Sequence, residues 1–140
     1  MIRYLLDSSA LWRILRDDVI RAAWAEVVSA GAVGSCHPQR VEFRRSARTV
    51  DEYEEMSAMF GELYPDAAVP KGAWRWIESA QYSLLRRGAH RALSAVDLLV
   101  CATAAQLDLV VLHDDNDFGT AARYLPDLRT RAVRDVPPAD

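Results

Sequence analysis

Apolar and polar residues follow two different periods along this chain, and the alternation between them predicts its secondary structure. Short, almost continuous apolar runs are typical of strands buried on both faces. Such runs occur at 2–6, 32–36, 109–113 and 128–133. Apolar residues spaced three and four apart are typical of amphipathic helices. They predict helices over 8–17, 20–30, from 37 onward, and over 50–63, 71–87, 94–106 and 118–124.

Strands that alternate with helices predict an α/β fold, in which a central parallel sheet is covered on both faces as a three-layer α/β/α sandwich. Neither a repeat nor a linker divides the sequence, and 140 residues suit one domain. We therefore expect a single domain over 1–135, followed by a short tail over 136–140.

The composition is that of a globular protein without a membrane span. Hydrophobic residues make up 51% of the chain and charged residues 26%, and every apolar run is shorter than the ~18 residues of a membrane span. Asp7 and Arg13 interrupt the apolar amino-terminal stretch, which is atypical of a signal peptide. We expect a cytoplasmic protein without a membrane span, in which Cys36 and Cys101 are buried structural thiols.

The basic residues give a mixed signal about nucleic-acid binding. A net charge of −3 argues against a protein held to nucleic acid by general positive charge. However, all but Lys71 of the 17 basic residues are arginines, clustered in the segments RRSAR (44–48) and LLRRGAHR (84–91). Arginine side chains suit phosphate groups, although a genome rich in G and C would favour arginine equally well.

Acidic residues follow two of the predicted strands directly. Asp7 comes after the first strand, and the segment DDND (114–117) follows the strand at 109–113. Ligands of parallel sheets bind beyond the carboxyl ends of the strands, so both positions are candidates for a site. Each has a simpler explanation, because Asp7 can cap the next helix and one aspartate of DDND can cap the helix from 118. That cap leaves two aspartates unexplained, and the spacing does not fit an EF-hand.

Two further acids lie within predicted helices. Asp97 is the single charged residue in the apolar helix 94–106, where an unpaired carboxylate costs several kcal/mol, roughly as for any uncompensated buried ion. Ser94 and Asp97 can alternatively form a capping box at the start of this helix. Glu42 lies three residues before Arg45, so an ordinary surface ion pair also explains it.

Together these acids predict a metal site. Two strand ends and one helix start bring carboxylates to the same edge of the sheet, where a cation has to offset their charge. Carboxylate oxygens without His or Cys ligands favour Mg²⁺ or Mn²⁺ over zinc. Such a site can perform phosphoryl chemistry, and no glycine-rich phosphate loop is present to indicate a nucleotide-binding protein. A nuclease is therefore the leading class of enzyme.

Three segments, YLLDSSALWRIL, VEFRRSAR and ALSAVDLLVCATAAQLDLVVLHDDNDF, resemble in order and spacing the PIN-domain ribonucleases of the VapC toxin type. The resemblance covers nearly the whole chain. It implies a three-layer sandwich around a parallel sheet and cleavage of single-stranded RNA that depends on Mg²⁺ or Mn²⁺. Water is then the attacking group, and the products carry a 5′-phosphate and a 3′-hydroxyl.

The resemblance also implies roles for particular residues. It assigns the catalytic and metal-binding roles to Asp7, Glu42, Asp97 and Asp115, with Asp117 as a further acid that binds the metal directly or through water. Asp114 is then a solvated neighbour, and Ser9 matches a hydroxyl residue that hydrogen-bonds within the acid cluster. For RNA binding, the candidates from the arginine clusters are Arg44, Arg45 and Arg87.

The expected partners follow from the same resemblance. They are an RNA substrate, a cognate antitoxin protein that obstructs the site, and a second copy of the chain in a homodimer. Two alternatives stay open at this point. A phosphoacceptor signalling domain also holds Mg²⁺ at a sheet edge, but it needs a lysine near the late strand end, and Lys71 lies elsewhere. A non-catalytic interaction domain would not need the full set of acids.

Overall fold

A four-stranded parallel sheet forms the centre of the computed structural model, which describes residues 1–139. The elements of this part of the chain are β1 (Tyr4–Leu6), α1 (Ser8–Arg16), α2 (Asp18–Ser29), β2 (Val33–Gly34), α3 (His37–Arg44), α4 (Val50–Leu63), α5 (Ala73–Leu85), α6 (Ala95–Leu107), β3 (Val110–His113), α7 (Asn116–Tyr124), β4 (Arg129–Ala132) and a 3₁₀ turn (Val133–Asp135).

The strand order is β2-β1-β3-β4, and helices cover both faces of the sheet. Side chains of a strand point alternately to its two faces. Accordingly, Leu5 and Val111 pack in one hydrophobic cluster with α5, α6 and α7. Tyr4, Leu6 and Leu112 pack in another cluster with α1, α2, α3 and α4. The predicted three-layer α/β/α sandwich with a parallel sheet is confirmed.

The carboxyl ends of β1 and β3 lie side by side. Leu6 pairs with Leu112 in parallel register, and the backbone N–H of Asp7 donates to the carbonyl of Leu112 at 2.9 Å. The residues that follow the two strands, Asp7 and the segment 114–117, are therefore neighbours. α6 begins at this same edge, since a helix that precedes a parallel strand has to run back across the sheet.

Several element boundaries differ from the sequence prediction. The strand predicted at 32–36 is reduced to β2, because the N–H of Ser35 donates to the carbonyl of Pro65 instead of to β1. α2 begins at Asp18 instead of at 20, since the side chain of Asp17 accepts from the N–H groups of Val19 and Ile20 and caps the helix. α5 begins at Ala73 and ends at Leu85, inside the predicted 71–87. No helix within residues 1–139 is long and apolar enough to span a bilayer.

Candidate active site

Asp7 is a buried carboxylate at the centre of the site. Its side chain is the cap of α1, and one oxygen, Oδ2, accepts from the N–H of Ser9 at 3.0 Å and from the Ser9 hydroxyl at 2.6 Å. The other oxygen, Oδ1, is buried and has no hydrogen-bond partner within residues 1–139. Burial, with smaller contributions from Asp97 and Glu42, raises the pKa of Asp7 to about 6, although the Ser9 hydrogen bonds oppose the shift.

Ser9 connects the ends of β1 and β3. Its hydroxyl donates to Asp7 and accepts from the backbone N–H of Asp114 at 2.9 Å. The oxygen therefore orients the Asp7 carboxylate and fixes the first peptide after β3. Ser9 thus hydrogen-bonds both to Asp7 and to the backbone of Asp114.

Asp97 lies in the first turn of α6 and faces the other acids. It forms a capping box, in which Oδ2 accepts from the N–H of Ser94 at 3.0 Å while the Asp97 N–H donates to the Ser94 hydroxyl at 3.1 Å. The capping box that the sequence offered as an alternative is therefore present. Burial raises the pKa of Asp97, and the charges of Asp115 and Asp117 raise it further, so the same carboxylate also belongs to the acid cluster.

Glu42 comes from α3 and is half-buried beside Asp97. Burial raises the pKa of Glu42 and the charge of Asp97 raises it further, while a hydrogen bond with the Ser8 side chain and the charge of Arg45 lower it. Within residues 1–139, the ion pairs closer than 4.0 Å do not include one between Glu42 and Arg45. Glu42 therefore interacts electrostatically with the acids as well as with its neighbouring arginine.

Asp115 and Asp117 are fixed at the start of α7. The Asp115 side chain caps the helix, and its Oδ1 accepts from the N–H of Asp117 at 2.9 Å. The N–H of Asp115 donates to Nδ1 of His113 at 3.2 Å, and the His113 ring stacks on Phe118. Burial lowers the pKa of His113 and Arg134 adds to this effect, although the charges of Asp115 and Asp114 oppose it.

Asp114 is not the solvated neighbour that the sequence analysis expected. Its Oδ1 accepts from Arg134 Nη1 at 3.0 Å, and its Oδ2 lies 3.2 Å from Arg13 Nε. Arg134 also donates to Oδ1 of Asn116 at 3.2 Å. Two guanidinium groups therefore neutralise the Asp114 carboxylate. The sequence did not indicate either arginine. Arg134 reaches this turn because β4 lies beside β3, and Arg13 reaches it from α1, 101 positions away in sequence.

The acids suit a hard divalent cation in their chemistry, although they do not form a compact cage. Asp97 raises the pKa of both Asp7 and Glu42, and Asp115 and Asp117 in turn raise that of Asp97. Among residues 1–139, no three acidic, His or Cys side chains are close enough together to be a preformed metal site. The unpartnered Oδ1 of Asp7 nevertheless provides a buried oxygen that a cation would satisfy.

The three arginines predicted to bind RNA differ in their surroundings. Arg44 is engaged inside the protein, where it donates to the Ser57 hydroxyl at 3.2 Å and lies 5.1 Å from the centre of the Tyr53 ring. Arg45 is exposed beside Glu42. Arg87 is also exposed and lies 5.3 Å from the centre of the Tyr124 ring.

Comparison with known proteins identifies relatives of this chain. The PIN domain family matches residues 4–124. Ribonuclease VapC6 from Mycobacterium tuberculosis is 64% identical over 102 residues, which span 73% of this chain and 80% of that protein. Among solved structures, VapBC-1 from nontypeable Haemophilus influenzae has a TM-score of 0.75 at 13% identity and covers 96% of this chain and 99% of its own. VapBC-5, a member of the VapBC family of toxin-antitoxin systems from Mycobacterium tuberculosis, has a TM-score of 0.64 at 20% identity, with 94% and 99% covered.

Proposed function

The chain belongs to the PIN-domain family, on the branch of the VapC ribonucleases, and from this membership we propose that it is a metal-dependent endoribonuclease toxin. Its substrate is single-stranded RNA, whose phosphodiester bonds it hydrolyses. The acid cluster supports the proposal, because carboxylates from four elements or their ends lie near enough to raise one another's pKa, and Asp7 Oδ1 among them is buried without a hydrogen-bond partner in residues 1–139.

Asp7, Glu42, Asp97 and Asp115 are the proposed ligands for Mg²⁺ or Mn²⁺, and Asp117 is the further acid beside them. A bound cation supplies charge stabilisation at the scissile phosphate and lowers the pKa of the attacking water. The protein's own contribution is orientation. Ser9 holds Oδ2 of Asp7 and leaves Oδ1 without a hydrogen-bond partner in the described residues, while the backbone N–H of Ser94 holds Oδ2 of Asp97. His113 fixes the backbone from which Asp115 extends.

The position of Lys71 disfavours the phosphoacceptor alternative. Lys71 lies in the turn before α5, next to Gly72, where an added Cβ would approach Gln106 Nε2 to 2.8 Å. Gln106 is near the end of α6, nine residues after Asp97 and so about 14 Å along the helix at roughly 1.5 Å per residue. The lysine is thus at the end of α6 remote from the acids, whereas a phosphoacceptor domain needs it beside them.

We also propose the partners that the family membership suggests. VapBC-5, which shares this fold, is described as a member of the VapBC family of toxin-antitoxin systems, so a cognate antitoxin that covers the acid cluster is the expected inhibitor. A homodimer in the cytoplasm is the expected form of the free protein. Co-expression with the neighbouring gene product, followed by purification and light scattering, tests both expectations.

The proposed activity predicts cleavage that depends on both the cation and Asp97. Purified protein should cut single-stranded RNA in Mg²⁺ or Mn²⁺, stop when EDTA is added, and leave 5′-phosphate ends. Asp97→Asn should reduce the rate at least ~100-fold, the typical loss when one charged group that stabilises a transition state is removed. Asp51→Asn, the same substitution at an exposed position in α4, is the matched control and should cut normally. Undiminished cleavage by folded Asp97→Asn protein would contradict the proposed site.

A further inference from the structure

The connection between α5 and α6 carries positive charge without compensation. Residues 79–96 contain Arg86, Arg87, His90 and Arg91 but no acidic residue. Within residues 1–139, none of these arginines forms an ion pair, whereas five others pair with aspartate or glutamate, namely Arg13, Arg21, Arg48, Arg129 and Arg134. In a chain of net charge −3, this surface is therefore locally cationic.

Two tyrosine rings lie beneath two of these guanidinium groups. Arg86 is 6.0 Å from the centre of the Tyr82 ring, and Arg87 is 5.3 Å from the centre of the Tyr124 ring. Ser83, Arg86, Arg87 and Tyr124 line an open cavity of about 470 Å³. Tyr82 is 66% exposed beside it. Aromatic rings and guanidinium planes are surfaces on which unpaired bases stack, and guanidinium N–H groups bind phosphates.

α7 links this cavity to the acid cluster. Asp117 is in the first turn of α7 and Tyr124 is its last residue, seven residues later, which is roughly 10 Å at 1.5 Å per residue. That distance corresponds to about three nucleotides at roughly 3.4 Å each along a stacked strand. A strand that passes over the acids is therefore long enough to reach Tyr124 within a few nucleotides of the scissile bond.

Tyr124 also borders a second cavity, on the side away from the arginines, that is less suited to the RNA backbone. Ser83 and Tyr124 also border a smaller cavity of about 180 Å³, whose other wall includes Trp76 and Asp127. Trp76 Nε1 donates to Asp127 Oδ2 at 2.7 Å, so the carboxylate is fixed there. Its negative charge repels phosphates, which favours a path along the arginine side of Tyr124.

We propose that Tyr82, Arg86, Arg87 and Tyr124 form a binding site for the nucleotides of single-stranded RNA that flank the scissile bond. The proposal rests on the ribonuclease function proposed above. A base stacks on the outer face of the Arg87 guanidinium, which the Tyr124 ring supports from below, while N–H groups of Arg86 and Arg87 bind the adjoining phosphates. Because stacking is possible for every base, this site adds affinity for longer RNA with little selection of sequence.

Binding measured without cleavage tests the site. A labelled single-stranded 12-nucleotide RNA is titrated with protein in EDTA, and fluorescence anisotropy gives Kd at several salt concentrations. Arg87→Gln and Tyr124→Leu should each raise Kd about tenfold, the effect of losing one stacked base or one phosphate contact. Arg87→Gln should also reduce the slope of log Kd against log salt by about 0.7, as expected for one phosphate contact. Tyr124→Phe keeps the ring and should bind as the wild type does.

Arg75→Gln is the matched control, since Arg75 is an exposed arginine of α5 outside the cavity. Its Kd should change less than twofold. Wild-type Kd and salt slope in folded Arg87→Gln protein would overturn the proposal, as would an equal loss in Arg75→Gln. Cleavage keeps the two proposals apart: a wild type that binds RNA but does not cut it in Mg²⁺ or Mn²⁺ contradicts only the ribonuclease function. A wild type that cuts RNA, with variants that bind normally, contradicts only this site.

Discussion

Asp7 is a residue whose proposed role in metal binding lowers the stability of the folded protein. Its carboxyl group is 4% exposed, and its pKa is raised from 3.8 to about 6, mainly by burial. An acid with a higher pKa in the folded protein favours folding only while it is protonated. Its contribution is complete below pH 3.8 and is lost as the pH rises through about 6. At neutral pH the folded protein without metal therefore contains an unfavourable charge.

Replacing Asp7 should relieve this cost while removing activity. Asp7→Asn keeps an acceptor for Ser9 and carries no charge, so we expect the free energy of unfolding in EDTA at pH 7.5 to rise by about 3 kcal/mol. The fall in stability between pH 4 and about 6.5 should flatten as well, because the titrating group is gone. Urea denaturation across this pH range measures both effects. Asp51→Asn, at an exposed site, should show neither, and an Asp7→Asn protein that is less stable than wild type at pH 7.5 would contradict the explanation.

The sequence was enough to single out some acids of the site but not to distinguish others. Asp7 and Asp97 stand out because each is a charge beside an apolar segment, and the structure brings both to one sheet edge. Asp114 and Asp115 are adjacent and chemically identical, so strand periodicity could not separate their roles. Arg13 and Arg134 separate them by neutralising Asp114, and these contacts join residues 101 and 20 positions apart, beyond any local pattern.

At the level of elements, helices were easier to predict than strands. α4 has the predicted bounds of 50–63, and its start is fixed locally, because Thr49 accepts from the N–H of Glu52 at 3.0 Å. β2 is shorter than predicted because the backbone of Ser35 hydrogen-bonds to a distant segment, residues 65–67, instead of to β1. Helix caps are encoded within a few residues, whereas the length of a strand depends on what lies beside it in space.

The cap of α6 also has a role in the proposed active site, and this can be tested against an ordinary cap. Ser94→Ala removes the acceptor for the Asp97 N–H and should lower stability by about 1 kcal/mol. The Ser94 hydroxyl also hydrogen-bonds the Asp97 carboxyl group, so its loss loosens Asp97 although the Ser94 backbone N–H remains. Cleavage under conditions where the protein stays folded should therefore fall more than tenfold, about 1.4 kcal/mol in the barrier. Ser94→Thr keeps the hydroxyl and should restore both properties.

Thr49→Ala is the matched control for this prediction, because it removes an equivalent cap from α4, which carries none of the proposed ligands. It should lower stability by a similar ~1 kcal/mol and leave the cleavage rate of the folded protein unchanged. If both cap variants lose the same activity, the effect of Ser94 is one of stability alone, and its positioning of Asp97 is refuted.

Over the whole molecule, the sheet edge that carries the acids is held together before any cation binds. The Asp7 N–H reaches Leu112, Ser9 joins Asp7 to Asp114, and Arg134 joins Asp114 to the turn after β4. The ends of three strands are thereby connected. Burial is the main cause of the raised pKa values of Asp7, Glu42 and Asp97, and the charges of neighbouring acids raise them further, so repulsion within the site acts against this framework.

A cation that relieves the repulsion should stabilise the whole fold, and the effect should depend on pH. At 100 times its Kd, a ligand that binds only the folded protein adds about 2.7 kcal/mol, or roughly 10 °C in Tm for a domain of this size. We expect such a rise with Mg²⁺ or Mn²⁺ at pH 7.5. At pH 5, Asp7, with its pKa of about 6, is mostly protonated, so apparent affinity should fall about tenfold. Differential scanning fluorimetry measures Tm in both buffers, with NaCl of equal ionic strength as the salt control. Asp97→Asn should lose most of the rise at pH 7.5. An equal rise in wild type and Asp97→Asn would place the stabilising cation elsewhere on the protein.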